Sequence, residues 1–99
     1  MFDWDDKKSD RNYVERGFDF EYASSVFEGI TVERIDGRKD YGEQRIVALG
    51  QIDDTIYCVV YTWRDETRRI ISARVANPKE RNVYHRALSP GDQGTKGAS

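Results

Sequence analysis

The sequence has few of the residues from which common enzyme sites are built. Its 99 residues include one cysteine and one histidine, which excludes an internal disulfide and a cysteine-based zinc site. It has no glycine-rich phosphate loop and no HExxH motif, and its spacing does not support a Ser-His-Asp triad around His85. Cys58, within the apolar run IYCVVY, is expected to be a buried, inert thiol. We therefore expect no metal site and no cofactor.

Long apolar runs are also missing. No stretch approaches the roughly 18 apolar residues of a membrane span, and the N-terminal MFDWDDKKSD lacks the apolar region of a signal peptide. We therefore expect no membrane partner and a cytoplasmic location. The length fits a single domain, residues 1–88. Residues 89–99, SPGDQGTKGAS, have no large apolar side chain and are expected to form a flexible tail.

Charge is distributed unevenly, although the net charge is only −2. Residues 1–44 carry 7 basic and 12 acidic groups, whereas residues 45–99 carry 9 basic and 6 acidic groups. Seven of those basic groups lie between Tyr61 and Arg86, with three acidic groups among them. A basic patch on an acidic protein suits a polyanionic partner. An ordinary solvated surface gives the same count.

Helix signals occur in both halves of the chain. The sequence predicts a helix over KKSDRNYVER, capped by Asp5 or Asp6 and ended by Gly17, and a second over FEYASSVFEG, capped by Asp19. The inward side of the second helix consists of Phe20, Ala23 and Phe27. A third helix begins at NPKE, which has the residues of a capping box with proline in the first turn. Its apolar stripe consists of Val83, Tyr84, Ala87 and Leu88.

Between the second and third helices the apolar period changes from 3.6 to 2, which indicates strands. These strands are ITVERI, QRIVALGQI, TIYCVVYTW and RRIISARVA, and MFDWD forms an earlier one. The density of apolar residues in TIYCVVYTW suits a central strand buried on both faces. Short connections between the later strands predict an antiparallel meander. The expected fold is therefore α+β, with two N-terminal helices, an antiparallel sheet and a C-terminal helix.

The last two strands predict a polar face that could bind an anion. If Thr62 and Arg64 align beside Ser72 and Arg74, two guanidiniums and two hydroxyls share one face of the sheet; a shift of one residue would break this arrangement. The other face, expected to be core, consists of Tyr61, Trp63, Ile71 and Val75. Arg68 is expected to be a solvated strand end. Preorganised arginines suit a phosphodiester, because they stabilise charge gathering on phosphorus. Salt bridges to nearby acids would account for the same arginines.

Several segments together resemble the BrnT family of toxins from bacterial type II toxin–antitoxin systems, over about residues 2–86. They are FDWD, NYVERGFDFEYASSVF, YGEQRIVALG, VVYTWR, RIISARVA and KERNVY. The resemblance implies a RelE-like fold and a metal-independent endoribonuclease that inhibits translation by degrading RNA. It also implies a cognate antitoxin, usually encoded beside the toxin, that neutralises the toxin by forming a heterotetramer with it. Operator DNA would be contacted through the antitoxin.

The resemblance also assigns residues. Arg64 and Arg74 match basic positions of the family and coincide with the predicted polar face, so they are the first catalytic candidates. Glu43 and Arg45 match within GEQR; Glu43 would act as a base or orient an arginine. Other candidates for proton transfer are Tyr84 and His85. The predicted RNA contacts are Arg45, Arg69, Lys79, Arg81 and Trp63, with Trp63 able to stack a base.

One position departs from the family. Where the family usually has KHG, this chain has ERG at residues 15–17. If that histidine is catalytic, the chain would be weak or inactive, whereas at a helix C-terminus Arg16 would replace it acceptably. Two other functions therefore stay open. The chain could be a protein-binding module that captures an antitoxin segment on its basic face, or an RNA-binding domain without catalysis.

Overall fold

The structure is a computed structural model that describes residues 1–89. It is α+β, with three α-helices, a short 3-10 helix and five strands among these residues. In chain order the elements are β1 (Phe2–Trp4), α1 (Asp6–Arg16), α2 (Phe20–Ala23), the 3-10 helix (Ser24–Glu28), β2 (Thr31–Asp36), β3 (Arg45–Ile52), β4 (Thr55–Arg64), β5 (Thr67–Val75) and α3 (Pro78–Leu88). The predicted tail, from position 90 on, lies outside the described residues.

The helix caps predicted from the sequence are confirmed. The Asp5 carboxylate accepts hydrogen bonds from the first backbone N–H groups of α1, and Gly17 ends that helix in the left-handed region at φ 90°. Asn77 and Glu80 form a reciprocal capping box at the start of α3. Each cap satisfies backbone groups that the helix itself leaves unpaired. These signals are local, which is why the sequence is sufficient to place them.

The second predicted helix is shorter than expected. Asp19 caps it as predicted, but the α-helix spans four residues and continues as the 3-10 helix. A 3-10 helix has three residues per turn, and the buried positions Phe20, Ala23 and Val26 follow that spacing. Gly50 of β3 lies beneath this segment, where a Cβ would stand 2.6 Å from the Cβ of Val26. The tight winding and the glycine together bring the segment close to the sheet.

The sheet is mixed, so the prediction of a purely antiparallel meander is wrong for one strand. Strands β2 to β5 do form the meander, but β1 pairs in parallel with β5 at the far edge, giving the order β1-β5-β4-β3-β2. Parallel pairing requires a crossover connection, which α1, α2 and the intervening strands provide. The pairing joins residues more than sixty positions apart, and no local pattern in MFDWD indicates it.

Both faces of the sheet carry a core, as expected for a central β4. One face packs against α1, α2 and the 3-10 helix; its buried cluster consists of Phe18, Phe20, Ala23, Val26, Tyr57, Val59, Ile70 and Ala73. The opposite face, here called the α3 face, buries Val47, Leu49, Ile56, Cys58, Ala76 and Tyr84. The predicted stripe on α3 is only partly right, because Tyr84 is buried while Val83 and Leu88 are exposed.

A β-bulge interrupts the pairing of β4 with β5. Val60 pairs with Ser72, but the next residue, Tyr61, pairs with Ile70, so Ile71 is an extra residue on β5. A bulge reverses the side-chain alternation of the strand beyond it. The predicted core face is therefore wrong in its details: Ile70 takes the buried position expected for Ile71. Trp63 and Val75, expected in the core, are about half exposed.

Candidate active site

A row of four charged side chains and one threonine crosses the α3 face where the β4–β5 hairpin turns. The row consists of Asp36, Arg45, Thr62, Arg69 and Asp3, contributed by β2, β3, β4, β5 and β1 respectively. Ile46 of β3 pairs with Tyr61 of β4. In this antiparallel register the preceding residue, Arg45, lies beside Thr62. Neighbouring strands lie about 4.8 Å apart. Carboxylates and guanidiniums from distant parts of the chain are therefore close to one another here.

Glu43, in the loop before β3, lies between two of the arginines. Its carboxylate accepts a hydrogen bond of 3.4 Å from Arg45 Nε, and Arg64 Nη2 lies 3.9 Å from its other oxygen. The loop is fastened to the sheet by Thr62 Oγ1, which donates to the Gln44 carbonyl at 2.8 Å. Tyr41 also lies under the guanidinium of Arg45, at 3.9 Å. These contacts hold Glu43 over the end of β4.

Arg64 is the most accessible cation of this group. Its side chain is 57% exposed, and within residues 1–89 its one ion contact is the long approach to Glu43. Arg45 and Arg69 are 26% and 24% exposed and each has a closer carboxylate partner. We call Arg45, Arg64 and Arg69, together with Glu43, the arginine cluster. Arg64 is the member with the most freedom to accept an anion.

Arg69 reaches this face because of the bulge. Side-chain alternation predicts that Arg69 and Arg74 lie on opposite faces, and that prediction is wrong, because the extra Ile71 brings both onto the α3 face. Arg69 donates to Asp3 at 2.6 Å, and this hydrogen bond lowers the pKa of the Asp3 carboxyl. Asp3 was not recognised from the sequence, since its position depends on the parallel pairing of β1.

Arg74 lies at the other end of the α3 face. It pairs with Cys58, six residues along β4 from Arg64, a separation of about 20 Å. The expected alignment of Thr62 and Arg64 beside Ser72 and Arg74 is therefore wrong, although the four residues do share a face. Both terminal nitrogens of Arg74 donate to Glu80 at 2.8 Å. The guanidinium holds the pKa of Glu80 at about 2.

The family comparison bears directly on this arrangement. A family model described as a ribonuclease toxin, BrnT, of type II toxin–antitoxin systems matches residues 4–80, which include every element from the end of β1 to the first turn of α3. The chain belongs to the BrnT family. A search of curated proteins gives no match. Toxins of type II systems pair with an antitoxin protein, so membership of the family supports such a partner.

Two general features of this BrnT family member concern metals and membranes. In the part of the chain that the structure describes, no helix combines the length and apolar character needed to cross a membrane. Across residues 1–89, no group of three or more His, Cys, Asp or Glu side chains is arranged to hold a metal ion. Positive charge on the α3 face comes from arginines and from Lys79 of α3.

The α3 candidates lie apart from the arginine cluster. Tyr84 is buried, and its hydroxyl donates to the Ile30 carbonyl at 3.0 Å. His85 is exposed, and its described ring contact is with Tyr84, at 5.9 Å between centroids. Arg81 donates to the Ala76 carbonyl, and Lys79 borders a groove between α3 and the sheet. No described contact joins any of these side chains to the arginine cluster, so the structure does not bring the predicted site together as a whole.

Trp63 and Arg68 lie on the opposite face at the hairpin end. The guanidinium of Arg68 is 4.7 Å from the centre of the Trp63 ring and 4.4 Å from that of Phe27. The prediction of a solvated strand end is therefore wrong for Arg68, which is half-buried among aromatic rings. Trp63 remains 46% exposed. It could stack a base on its open side, with Arg68 supporting the ring from within.

Arg16, at the position where the family resemblance leads us to expect a histidine, has structural partners. Its guanidinium donates to the side chain of Asn12 at 2.9 Å and to the carbonyl of Ala73, on β5, at 3.2 Å. It therefore ties the C-terminal end of α1 to the sheet. This placement agrees with the expectation that the position serves the helix end, where a cation is favoured.

Proposed function

We propose that this BrnT family member is a metal-independent endoribonuclease whose cutting site is the arginine cluster. The observation that carries the proposal is the convergence of Arg45, Arg64 and Arg69 with Glu43 on the open end of the α3 face. Arginine presents a planar fork that matches phosphate oxygens and stays charged at every physiological pH. The cluster combines this charge with a held carboxylate, so it supplies charge stabilisation at phosphorus and a carboxylate close to it.

In the proposed reaction the 2′-hydroxyl of RNA attacks the adjacent phosphorus. A bond forms between O2′ and phosphorus, and the bond from phosphorus to O5′ breaks. The 2′ proton passes to Glu43 or to solvent water, and water supplies the proton that O5′ takes up. Arg64 stabilises the negative charge that develops on the phosphoryl oxygens, with Arg45 and Arg69 as supporting contacts. The charge stabilisation comes from fixed guanidiniums, so the scheme requires no divalent cation.

Glu43 has two roles consistent with its position. It could take the 2′ proton directly, or it could orient Arg45 and Arg64 for the phosphate. Its contacts with both guanidiniums favour the orienting role. The two roles separate in the Glu43→Gln variant. Loss of a base removes the acidic limb of the pH–rate profile, whereas loss of an orienting carboxylate lowers the rate across the whole profile.

The rest of the proposal is what the resemblance to the BrnT family leads us to expect. Cleavage of RNA would inhibit translation in the cytoplasm, and an antitoxin encoded beside the toxin would neutralise it. We expect two copies of each chain in the complex, with operator DNA contacted through the antitoxin. The RNA-stacking role of Trp63 and the phosphate contacts of Lys79 and Arg81 are part of the same proposal.

A second candidate function is capture of the antitoxin without RNA cleavage. It is favoured by the ion pairs that Arg45, Arg69 and Arg74 already form within the chain, and by Arg16 in place of the usual histidine. Under this alternative the cationic face would serve a protein partner alone. An RNA-binding domain without catalysis would instead show binding that weakens steeply with salt and no cleavage.

The test is cleavage of a mixed RNA pool by the purified chain in excess chelator. The proposal expects cleavage that chelator does not reduce, with products ending in 2′,3′-cyclic phosphate. Activity that disappears on chelation and returns with a divalent cation would contradict metal independence. Absence of cleavage in every condition would contradict the nuclease proposal. In that case Arg16→His is the informative variant, because it restores the residue that the family usually has.

A further inference from the structure

Strand β2 forms an open edge of the sheet. In the order β1-β5-β4-β3-β2 it pairs with β3 on one side, and among residues 1–89 no strand pairs with its other side. The edge is six residues long and carries an apolar side chain, Ile35, that is 59% exposed; Ile30, just before it, is 66% exposed. Natural proteins usually shield such an edge, because its free N–H and C=O groups accept another strand.

A groove runs beside this edge, between α3 and the outer strands. It has a volume of about 440 Å³, with an apolar floor formed by Val32, Val47 and Leu49 and a wall formed by Val83. Val83 is 48% exposed, although it lies on the helix face that the sequence pattern assigns to the core. Side chains of an added strand that point toward the α3 face would meet this floor.

Two cations lie at the rim of the groove. Arg34 of β2 and Lys79 of α3 both line it, and neither forms an ion pair within residues 1–89. Glu33 and Glu80 line it too, but both carboxylates already accept hydrogen bonds from side chains within the chain. The other arginines of the α3 face, in contrast, have carboxylates beside them. The groove therefore suits a segment that combines apolar side chains with carboxylates.

A second copy of this chain fits the edge poorly. If two β2 strands pair across a two-fold axis, side chains that face each other must lie on the same side of the sheet. One residue of the strand is then opposite the same residue of the second copy. For the two registers that pair the largest part of β2, that residue is Arg34 or Glu33. Like charges directly opposite each other destabilise a strand pair. The occupant is better supplied by a different chain.

We propose that an extended, acidic and apolar segment of the antitoxin adds to β2 as a sixth strand and places its apolar side chains in the groove. This inference rests on the antitoxin partnership and not on RNA cleavage. Strand addition of this kind takes its affinity from backbone hydrogen bonds and its specificity from pockets for alternate side chains. β2 ends at Asp36, which pairs with Arg45, so the added segment arrives beside the arginine cluster and can cover it.

The test is hydrogen exchange of the full chain, alone and with the antitoxin encoded beside it, together with binding calorimetry. We expect the amides of residues 31–36 to become protected in the complex. Ile35→Glu, which puts on the edge a charge of the same sign as the acidic segment, should weaken antitoxin binding at least tenfold and leave RNA cleavage by the isolated chain unchanged. Val14→Glu is the matched control, because Val14 is also apolar and is 82% exposed on α1.

Arg34→Glu tests the charge preference separately from the edge. It should weaken antitoxin binding, whereas the same reversal at Arg11, an exposed position on α1, should not. Protection confined to α1 or to the arginine cluster would overturn the inference, as would unchanged binding by Ile35→Glu. A dimer of the isolated chain that Ile35→Glu dissociates would show that a second copy occupies the edge. Because binding is measured directly, failure of the nuclease proposal would leave these results interpretable.

Discussion

At each end of the α3 face an arginine lies beside a glutamate, and the two pairs differ in distance and in exposure. At the hairpin end, Arg64 approaches Glu43 at 3.9 Å and its side chain is 57% exposed. At the other end, Arg74 makes two hydrogen bonds of 2.8 Å to Glu80, and Glu80 also caps α3. The same two residue types therefore give an exposed cation at the hairpin end and a closely hydrogen-bonded ion pair at the other end. The two ends differ in the exposure of the arginine side chain and not in residue type, and the exposed end is the one that we propose for RNA.

Geometry explains this difference. Glu80 has a fixed position because the first turn of α3 fixes it, and Arg74 then satisfies a carboxylate that is mostly buried. Removing one partner of such a pair leaves the other charge buried and unpaired. The resulting loss of stability is larger than the net stability that the intact pair contributes relative to two solvated charges. Glu43 belongs to a loop and makes longer contacts, so an incoming phosphate can compete for Arg64. Exposed ion pairs of this kind contribute little to stability.

The largest expected effect is that of Arg64→Ala on cleavage. Removing one preorganised donor to a charged transition state typically costs about a hundredfold or more in rate. The melting temperature should stay close to that of the wild type, because an exposed arginine rarely supports the fold. Single-turnover cleavage and thermal unfolding of the same preparation provide the two readouts. Wild-type cleavage by the variant would place the site elsewhere.

Arg74→Ala should give the opposite pattern. It removes both hydrogen bonds to Glu80 and leaves a partly buried carboxylate, with an expected loss of about 1–3 kcal/mol in the free energy of unfolding. Cleavage should remain close to the wild-type rate, measured below the transition temperature. Urea unfolding is the measurement, with Arg86→Ala, an exposed arginine of α3, as control. A variant that is as stable as the wild type but does not cleave RNA would show that Arg74 belongs to the active site.

A pH titration sharpens the same comparison. The pKa of Glu80 falls from 4.5 to about 2 on folding, chiefly because Arg74 donates to it. A carboxyl with a lowered pKa in the folded state stabilises the protein above its unfolded pKa, and this contribution is lost as the pH falls from about 4.5 toward 2. Glu80→Gln should lose stability at neutral pH and show a shallower decline over that range. Identical acid unfolding curves would contradict the account.

The smallest expected effect is that of Tyr84→Phe. The change removes a hydrogen bond to the Ile30 carbonyl and should cost about 1 kcal/mol in the free energy of unfolding. Cleavage should be unaffected, since the hydroxyl is engaged in the core and no described contact joins it to the arginine cluster. The measurement is the rate of RNA cleavage by the variant and by the wild type, both at saturating RNA. A large loss of cleavage would show that Tyr84 takes part in proton transfer.

The sequence predicts the local features of this fold well and the distant pairings poorly. Asp5, Gly17 and Asn77 are found where the sequence predicts them, because a helix cap depends on a few neighbouring residues. The parallel pairing of β1 with β5, in contrast, joins residues far apart in the chain. Asp3 therefore enters the charged row without any signal in its own segment.

The candidate site depends on one irregularity that the pattern of residues conceals. Strict alternation assigns Arg69 and Arg74 to opposite faces, and the extra Ile71 reverses that assignment for Arg69. Alternation does place Thr62, Arg64, Ser72 and Arg74 on one face, but it gives no distance along the strands. The residue types of the candidate site can thus be read from the sequence, whereas the register that brings some of them together cannot.

The most direct test of the account is to locate bound RNA on the α3 face. A 2′-O-methyl RNA oligonucleotide lacks the attacking hydroxyl and stays intact, so its complex can be followed by NMR of the arginine Nε–H groups. If the hairpin end is the cutting site, the signals of Arg45, Arg64 and Arg69 will move on titration while that of Arg74 keeps its position. Movement of Arg74 with Arg64 unchanged would contradict the assignment of the cutting site to the hairpin end.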